Sequence, residues 1–212
     1  MSDLSSVSAI FFDFDGVIMD SMHLKLEAYM RAVERFGFEP SEVDRLMRVH
    51  MGQSRQRILR WMYEDLSGEA MPDDVFEEVL AVFNAHDDAF RVRMEYVPGS
   101  REFLEKVHSR FYTAVITGTP EDVILKTTAH FELDGFFDVV RGSPDRKIDI
   151  AAELLERNGL DPATTLFVGD GKTDQEAAEA NGLRFVGRGT KEISFDPDRA
   201  WRVVEDLNEL LD

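Results

Sequence analysis

The apolar run Val7-Ser8-Ala9-Ile10-Phe11-Phe12 ends in Asp13-Phe14-Asp15-Gly16-Val17, and no other stretch of the chain limits the fold so tightly. Its length and its β-branched and aromatic content are those of a buried strand, and Gly16 lets the backbone turn away at the end. Asp13 and Asp15 are two residues apart, so on an extended backbone their carboxylates face the same side. Two like charges held together need a cation or a shared proton. Strand ends of open α/β sheets are where ligands bind, so this segment reads as a ligand site rather than as core.

The segment after Asp20 is helical at first. A helix over about Met22 to Phe36 carries Leu26, Met30 and Val33 on one face and is closed by Gly37. A second begins near Ser41, and a third runs from about Gln53 to Leu66. A fourth comes after Pro72, with Phe76, Val79, Leu80 and Phe83 at helical spacing. Their apolar stripes, with Met47, Met62 and the Trp61 and Tyr63 rings, read as the core of a small bundle. After Val97-Pro98-Gly99 strands and helices alternate. The expected strands are Tyr112–Ile116, Phe137–Val140, Thr165–Val168 and Leu183–Val186. Between them lie helices over about Glu121 to Phe131 and Ile148 to Asn158, and a third opened by Thr173 or Asp174. With the first strand these predict an α/β fold, a doubly wound parallel sheet of five strands, with an inserted all-helical unit. Residues 1–20 and 95–212 form the α/β part and residues 21–94 the helical insert; 212 residues suffice for one good core and a small second one.

Composition limits the chemistry. The chain has no cysteine, so a metal here would be a hard cation on oxygen ligands. The 42 acidic residues against 24 Lys and Arg give a net charge of −18, which disfavours nucleic acid and anionic membranes as partners. No apolar stretch reaches the roughly 20 residues of a bilayer span, and the N-terminal residues lack the basic region of a signal peptide, so a cytoplasmic location is expected. Periodicity marks no dimer face, and monomer and homodimer both remain open.

The carboxyl edge of such a sheet gathers four polar groups. Asp13 and Asp15 end the first strand, Thr117 and Gly118 the second, and Asp170 and Asp174 follow the fourth; Lys147 opens the helix after the third. Carboxylates without cysteine or histidine nearby describe a Mg²⁺ site. A lysine, a threonine hydroxyl and backbone N–H groups at Gly118 and Thr119 describe a phosphate cradle. Asp174 could equally serve as a helix cap. Arg146 competes with Lys147, which is preferred because a helix started there keeps Ile150, Ala151, Leu154 and Leu155 in one stripe. The five histidines fall in no motif; only His50 lies beside a loop of interest.

At these residues the chain resembles the haloacid dehalogenase superfamily of phosphohydrolases, in the branch with a helical cap inserted after the first strand. The motifs are Asp13-Phe14-Asp15-Gly16-Val17, Thr117, Lys147 and Gly169-Asp170-Gly171-Lys172-Thr173-Asp174. The resemblance implies that Asp13 is a nucleophile forming an aspartyl-phosphate and that Asp15 is the general acid and base. It implies Mg²⁺ on Asp13, Asp170, Asp174 and the Asp15 carbonyl, with Thr117, Gly118 and Lys147 on the phosphoryl oxygens. In the cap, Gly52, Ser54 and Arg55 stand in the substrate-facing loop. Lys25 occupies the place where many relatives carry histidine, which weakens a mutase-like proton relay. The implied activity is hydrolysis of a small phosphorylated metabolite. A sugar phosphomutase and a non-catalytic phosphate-binding protein are the alternatives.

Overall fold

The structure, a computed structural model, describes residues 4–50, 53–189 and 194–211. Its centre is β1 (Ala9–Phe12), whose four residues are all fully buried. Five parallel strands surround it: β4 (Tyr112–Pro120), β5 (Val139–Ser143), β6 (Thr165–Gly169), β7 (Arg184–Arg188) and β8 (Arg202–Val204), in the order β5-β4-β1-β6-β7-β8. The chain builds outward from β1 through β4 to β5 on one side. It then returns to β6 and builds outward the other way, so β1 and β6 flank the switch point at which ligands bind in such sheets.

Period-two alternation assigns the strand side chains to two faces. Ile10, Phe12, Val115, Leu166 and Val168 pack with Phe103, Leu104 and Val107 of α5 (Ser100–Val107) and Ile124 of α6 (Glu121–His130). Phe11, Ala114, Ile116 and Phe167 pack with the Ile150, Ala151, Leu154 and Leu155 stripe of α7 (Lys147–Asn158) and with Ala177 and Ala178 of α8 (Lys172–Ala180). Helices therefore cover both faces, as the alternation in sequence predicts.

Between β1 and β4 the chain forms α1 (Met22–Val33), α2 (Pro40–Val49), α3 (Arg55–Ser67) and α4 (Asp73–Arg91). These share an apolar cluster of their own that includes Ala28, Tyr29, Leu46, Met47, Leu59, Met62, Phe76, Val79 and Phe83. Both chain crossings between bundle and sheet run through a short antiparallel ribbon, β2 (Met19–Asp20) paired with β3 (Glu95–Tyr96).

Several details depart from the sequence reading, among them the ends of β5, which spans Val139–Ser143 rather than Phe137–Val140. The first helix ends at Val33, and Glu34–Phe36 tighten into a 3₁₀ turn before Gly37, whose φ of +67° suits glycine. The third helix starts at Arg55 rather than Gln53. The sheet has six strands, the sixth being the three-residue β8, too short to show a period. β4 runs on past Ile116 to Pro120 because it resumes pairing with β5 at Ser143 after a register shift. The β2–β3 ribbon, two residues a side, also has no sequence signature.

Phe12 is fully buried, with its ring edge-on to Phe103 at 6.1 Å and Phe137 at 6.3 Å. Phe12→Ala should cost about 3–5 kcal/mol, read as a lower urea midpoint at unchanged m-value. A loss below about 1 kcal/mol would contradict its placement at the centre of the core.

Candidate active site

Three strand ends and one helix start converge on the carboxyl edge. Asp13 directly follows β1; its N–H donates to the Val168 carbonyl at 2.9 Å, and its Oδ1 accepts from the Phe14 N–H at 2.7 Å. Asp170 directly follows β6, and Asp174 sits in the first turn of α8, where its Oδ2 accepts from the Gly171 N–H at 3.0 Å. Carboxylate oxygens of Asp13, Asp170 and Asp174 lie within 4.8 Å of one another, and all three residues are buried. Lys147, the first residue of α7, places Nζ 2.8 Å from Asp13 Oδ2 and 2.7 Å from Asp174 Oδ1. Asp174 therefore caps its helix with one oxygen and meets the lysine with the other. The rival Arg146 points outward into an exposed ion pair with Asp149 at 2.8 Å.

Burial and charge decide the protonation states. Burial is the largest influence on Asp170, and repulsion from Asp13 and Asp174 adds to it, so its pKa lies well above the ordinary carboxylate range. Burial likewise pushes Asp174 up to about 7 against the pull of Lys147. Burial would lower Lys147, but Asp13 and Asp174 hold its ammonium above the ordinary lysine value. Asp15 goes the other way. Burial would raise it, yet Lys25 and Arg91 hold its carboxyl well below the usual range.

Asp15 is the most heavily hydrogen-bonded of the acids. Its Oδ2 receives Lys25 Nζ at 2.6 Å and Thr119 Oγ1 at 2.8 Å, and its Oδ1 receives Ser21 Oγ at 2.6 Å. Gly16 turns the chain at φ +81°, and a Cβ there would fall 2.0 Å from Asp170 Oδ2, so glycine is required both for the turn and for the close approach of the acid.

One cavity takes its floor from Asp13, Asp15, Asp170, Thr117, Gly118 and Thr119. Its roof comes from the bundle: Lys25 and Arg55 supply cations, and Met22, Tyr29, Met47, Ile58 and Phe83 supply apolar surface. Thr117 Oγ1 accepts from the Thr119 N–H at 3.2 Å. Arg55 is 7% exposed, donates to Asn84 Oδ1 at 2.7 Å, meets Asp87 Oδ2 at 3.1 Å and lies 5.0 Å over the Phe83 ring. Ser54 opens α3 but faces a neighbouring cavity, which it lines with Gly118, Lys147 and Thr173. Gly52 lies outside the described residues. His50 stacks on Trp61 at 4.8 Å between ring centroids and does not line the cavity.

Ser21, Asn84, Asp87 and Arg91 enter this arrangement without having been singled out for it by the sequence, and Thr119, expected only through its backbone N–H, enters through its hydroxyl. The Thr119 hydroxyl had a local signal, two positions beyond Thr117. The others meet through tertiary packing alone.

The family model described as haloacid dehalogenase-like hydrolase matches residues 10–188, which is most of the chain. A phosphorylated carbohydrates phosphatase of Thermotoga maritima is 30% identical over 96% of this chain and 88% of its own length. A phosphoglycolate phosphatase of Pseudomonas putida is 29% identical over 95% of this chain and 78% of its own. Among solved structures, a hydrolase from Pseudomonas syringae has the same fold, with a TM-score of 0.77, 20% identity and 96% of each chain covered. The chain belongs to the haloacid dehalogenase-like hydrolases, and its activity is that of a phosphatase.

Both large shifts among the clustered acids are upward, so between about pH 4 and 7 the native state binds more protons than the unfolded chain. Stability then falls as pH rises through that window. In EDTA the melting temperature should be several degrees lower at pH 8 than at pH 5.5, at about 2–4 °C per kcal/mol for a chain of this size. A metal-free melting temperature that climbs from pH 5.5 to 8 would refute the clustering of these acids.

Proposed function

We propose that the chain hydrolyses small phosphate monoesters with Mg²⁺ through an aspartyl-phosphate on Asp13. The observation that carries this reading is the convergence of Asp13, Asp170 and Asp174 within 4.8 Å, with Lys147 bonded to two of them. Fully ionised, three desolvated carboxylates outnumber one ammonium, an imbalance that raises Asp170 and Asp174 and that a cation would relieve. An all-oxygen donor set of this kind fits Mg²⁺, held by Asp13, Asp170, Asp174 and the Asp15 carbonyl. The cation would supply charge stabilisation to the transferring phosphoryl group and lessen its repulsion from the nucleophile.

The chain's own residues supply the remaining roles. Asp13 attacks phosphorus in line with the leaving oxygen, and the bond to the alkoxide breaks as the Asp13–phosphorus bond forms. Asp15 lines the same cavity and is held ionised by Lys25 and Arg91 in this structure, so it must take up a proton, as loss of the Lys25 contact would permit, before it gives one to the leaving oxygen; it afterwards takes one from the attacking water. Lys147, Thr117 and the Gly118 N–H hold the phosphoryl oxygens. The bundle acts as a cap, and a roof closing on so small a cavity suits small phosphorylated metabolites rather than macromolecules. Arg55, pinned by Asn84 and Asp87, contacts the non-reacting part of the substrate. Hydrolysis is favoured over mutase action because Lys25, an ammonium rather than an imidazole, engages Asp15, and the full-length relatives are named phosphatases. The absence of cysteine is consistent with work in the cytoplasm.

Asp13→Asn should lower phosphate release from a panel of small esters by at least about a thousandfold while leaving the fold intact by circular dichroism. EDTA should abolish turnover and Mg²⁺ restore it. Full activity in either case would refute the mechanism. Arg55→Ala should raise KM about tenfold or more for the best substrate with a smaller change in kcat. An unchanged KM would remove Arg55 from the substrate site.

A further inference from the structure

A second cavity, of about 610 Å³, lies between α3 and α4 of the bundle and the end of β4 with α6. We propose that it is a binding site for a small oxyanion, carboxylate or phosphate, held by Arg91 and Arg55. Both arginines line it, each is less than a tenth exposed, and both direct a guanidinium to the same Asp87 Oδ2. Two buried cations thus share one carboxylate. Arg55 is otherwise occupied by Asn84 and Phe83, whereas Arg91 leaves Nε and Nη1 with no hydrogen-bond partner among the described residues.

Unpaired N–H groups on a desolvated guanidinium are destabilising unless an acceptor reaches them. Asp87 accepts from Nη2 alone, and its charge together with the field of Asp15 outweighs the effect of burial and keeps Arg91 protonated, while Nε and Nη1 still lack an acceptor. Both atoms are closed to solvent in this structure, so a guest reaches them only as the Arg91 side chain turns toward the cavity it lines, and the group that would then satisfy them is planar or tetrahedral with two acceptor oxygens.

The rest of the wall suits such a guest. Pro120, Val123 and Phe131 give it an apolar side, and Lys126 and His130 stand at the exposed mouth. Asp88 and Asp122 are the opposing charges. Both are exposed, and Asp122 is already engaged by Lys126 at 3.5 Å. The deep end is therefore cationic and the rim balanced, in a chain whose overall charge is −18. Arg55 lines this cavity and the Asp13 cavity alike, so the same chemistry could come from a distal acid group of a substrate or from free phosphate.

The test does not depend on turnover. His130 lines the second cavity and not the Asp13 cavity, so its ring signals, assigned by comparison with His130→Gln, are followed by NMR. Inorganic phosphate and, separately, acetate are titrated into the full chain at constant pH and ionic strength. The expected result is a saturable shift, with affinity at least tenfold weaker in Arg91→Gln and at least threefold weaker in Lys126→Gln. Tighter binding of phosphate assigns the site to free phosphate, and tighter binding of acetate to a substrate carboxylate. No saturation with either ion overturns the proposal, as does equal affinity in both variants. Should Arg91→Gln not fold, the exposed Lys126→Gln decides. Failure here with phosphatase activity intact leaves the catalytic reading standing, and the reverse is equally distinguishable.

Discussion

The edge of the sheet is held together by one buried ammonium. Lys147 joins the acid that follows β1 to the acid in the first turn of α8. Without it three carboxylates, Asp13, Asp170 and Asp174, would face each other with solvent excluded. At an effective dielectric near 20, each like-charge pair 4 Å apart costs about 4 kcal/mol. The ammonium is placed by apolar packing rather than by charge. The Ile150, Ala151, Leu154 and Leu155 stripe seats α7 on one face of the sheet, and its first residue then has nowhere to reach but inward. The hydrophobic core thus fixes the electrostatics of the site.

The same balance of charge extends across the cavity. The bundle contributes three cations, Lys25, Arg55 and Arg91, and one anion, Asp87, while the sheet edge contributes four carboxylates and Lys147. Roof and floor are therefore opposite in sign, and they attract through a low-dielectric gap. A divalent cation and a dianionic phosphate entering together carry no net charge, so they would exchange partners within the site without upsetting that attraction. This explains how an acidic protein can receive an anionic substrate: the local field at the roof is reversed from that of the surface.

Much of this was legible in sequence because it is carried by strand ends. Asp13 and Asp15, Thr117 and Gly118, and Asp170 each follow an apolar run whose period identifies a strand, and parallel strands put those ends on one edge. Lys147 was legible through the stripe behind it. The part that stayed hidden depends on packing between distant helices. Nothing in the spacing of Arg55, Asp87 and Arg91 shows that two of them share the third. Asp87 and Arg91 look locally like an ordinary i, i+4 surface pair, and Arg55 joins them only because α3 and α4 pack side by side. The shortest strands escaped for a different reason: two or three residues cannot display a period.

Asp15 ties the two halves of the structure to the chemistry. Both chain crossings are fixed by serines: Ser21 Oγ, where the chain leaves the sheet, donates to the Asp15 carboxylate, and Ser100 Oγ, at the start of α5 after the returning strand, donates to the Ile18 carbonyl at 2.8 Å. One turn further into α1, Lys25 reaches the same carboxylate. A displacement of α1 relative to the sheet must stretch the Lys25 contact and the Ser21 contact together, and in doing so it withdraws the charge that keeps Asp15 ionised. The position of the roof and the proton affinity of the acid beneath it are therefore one variable rather than two, because Ser21 and Lys25 both sit on the segment that joins sheet to bundle.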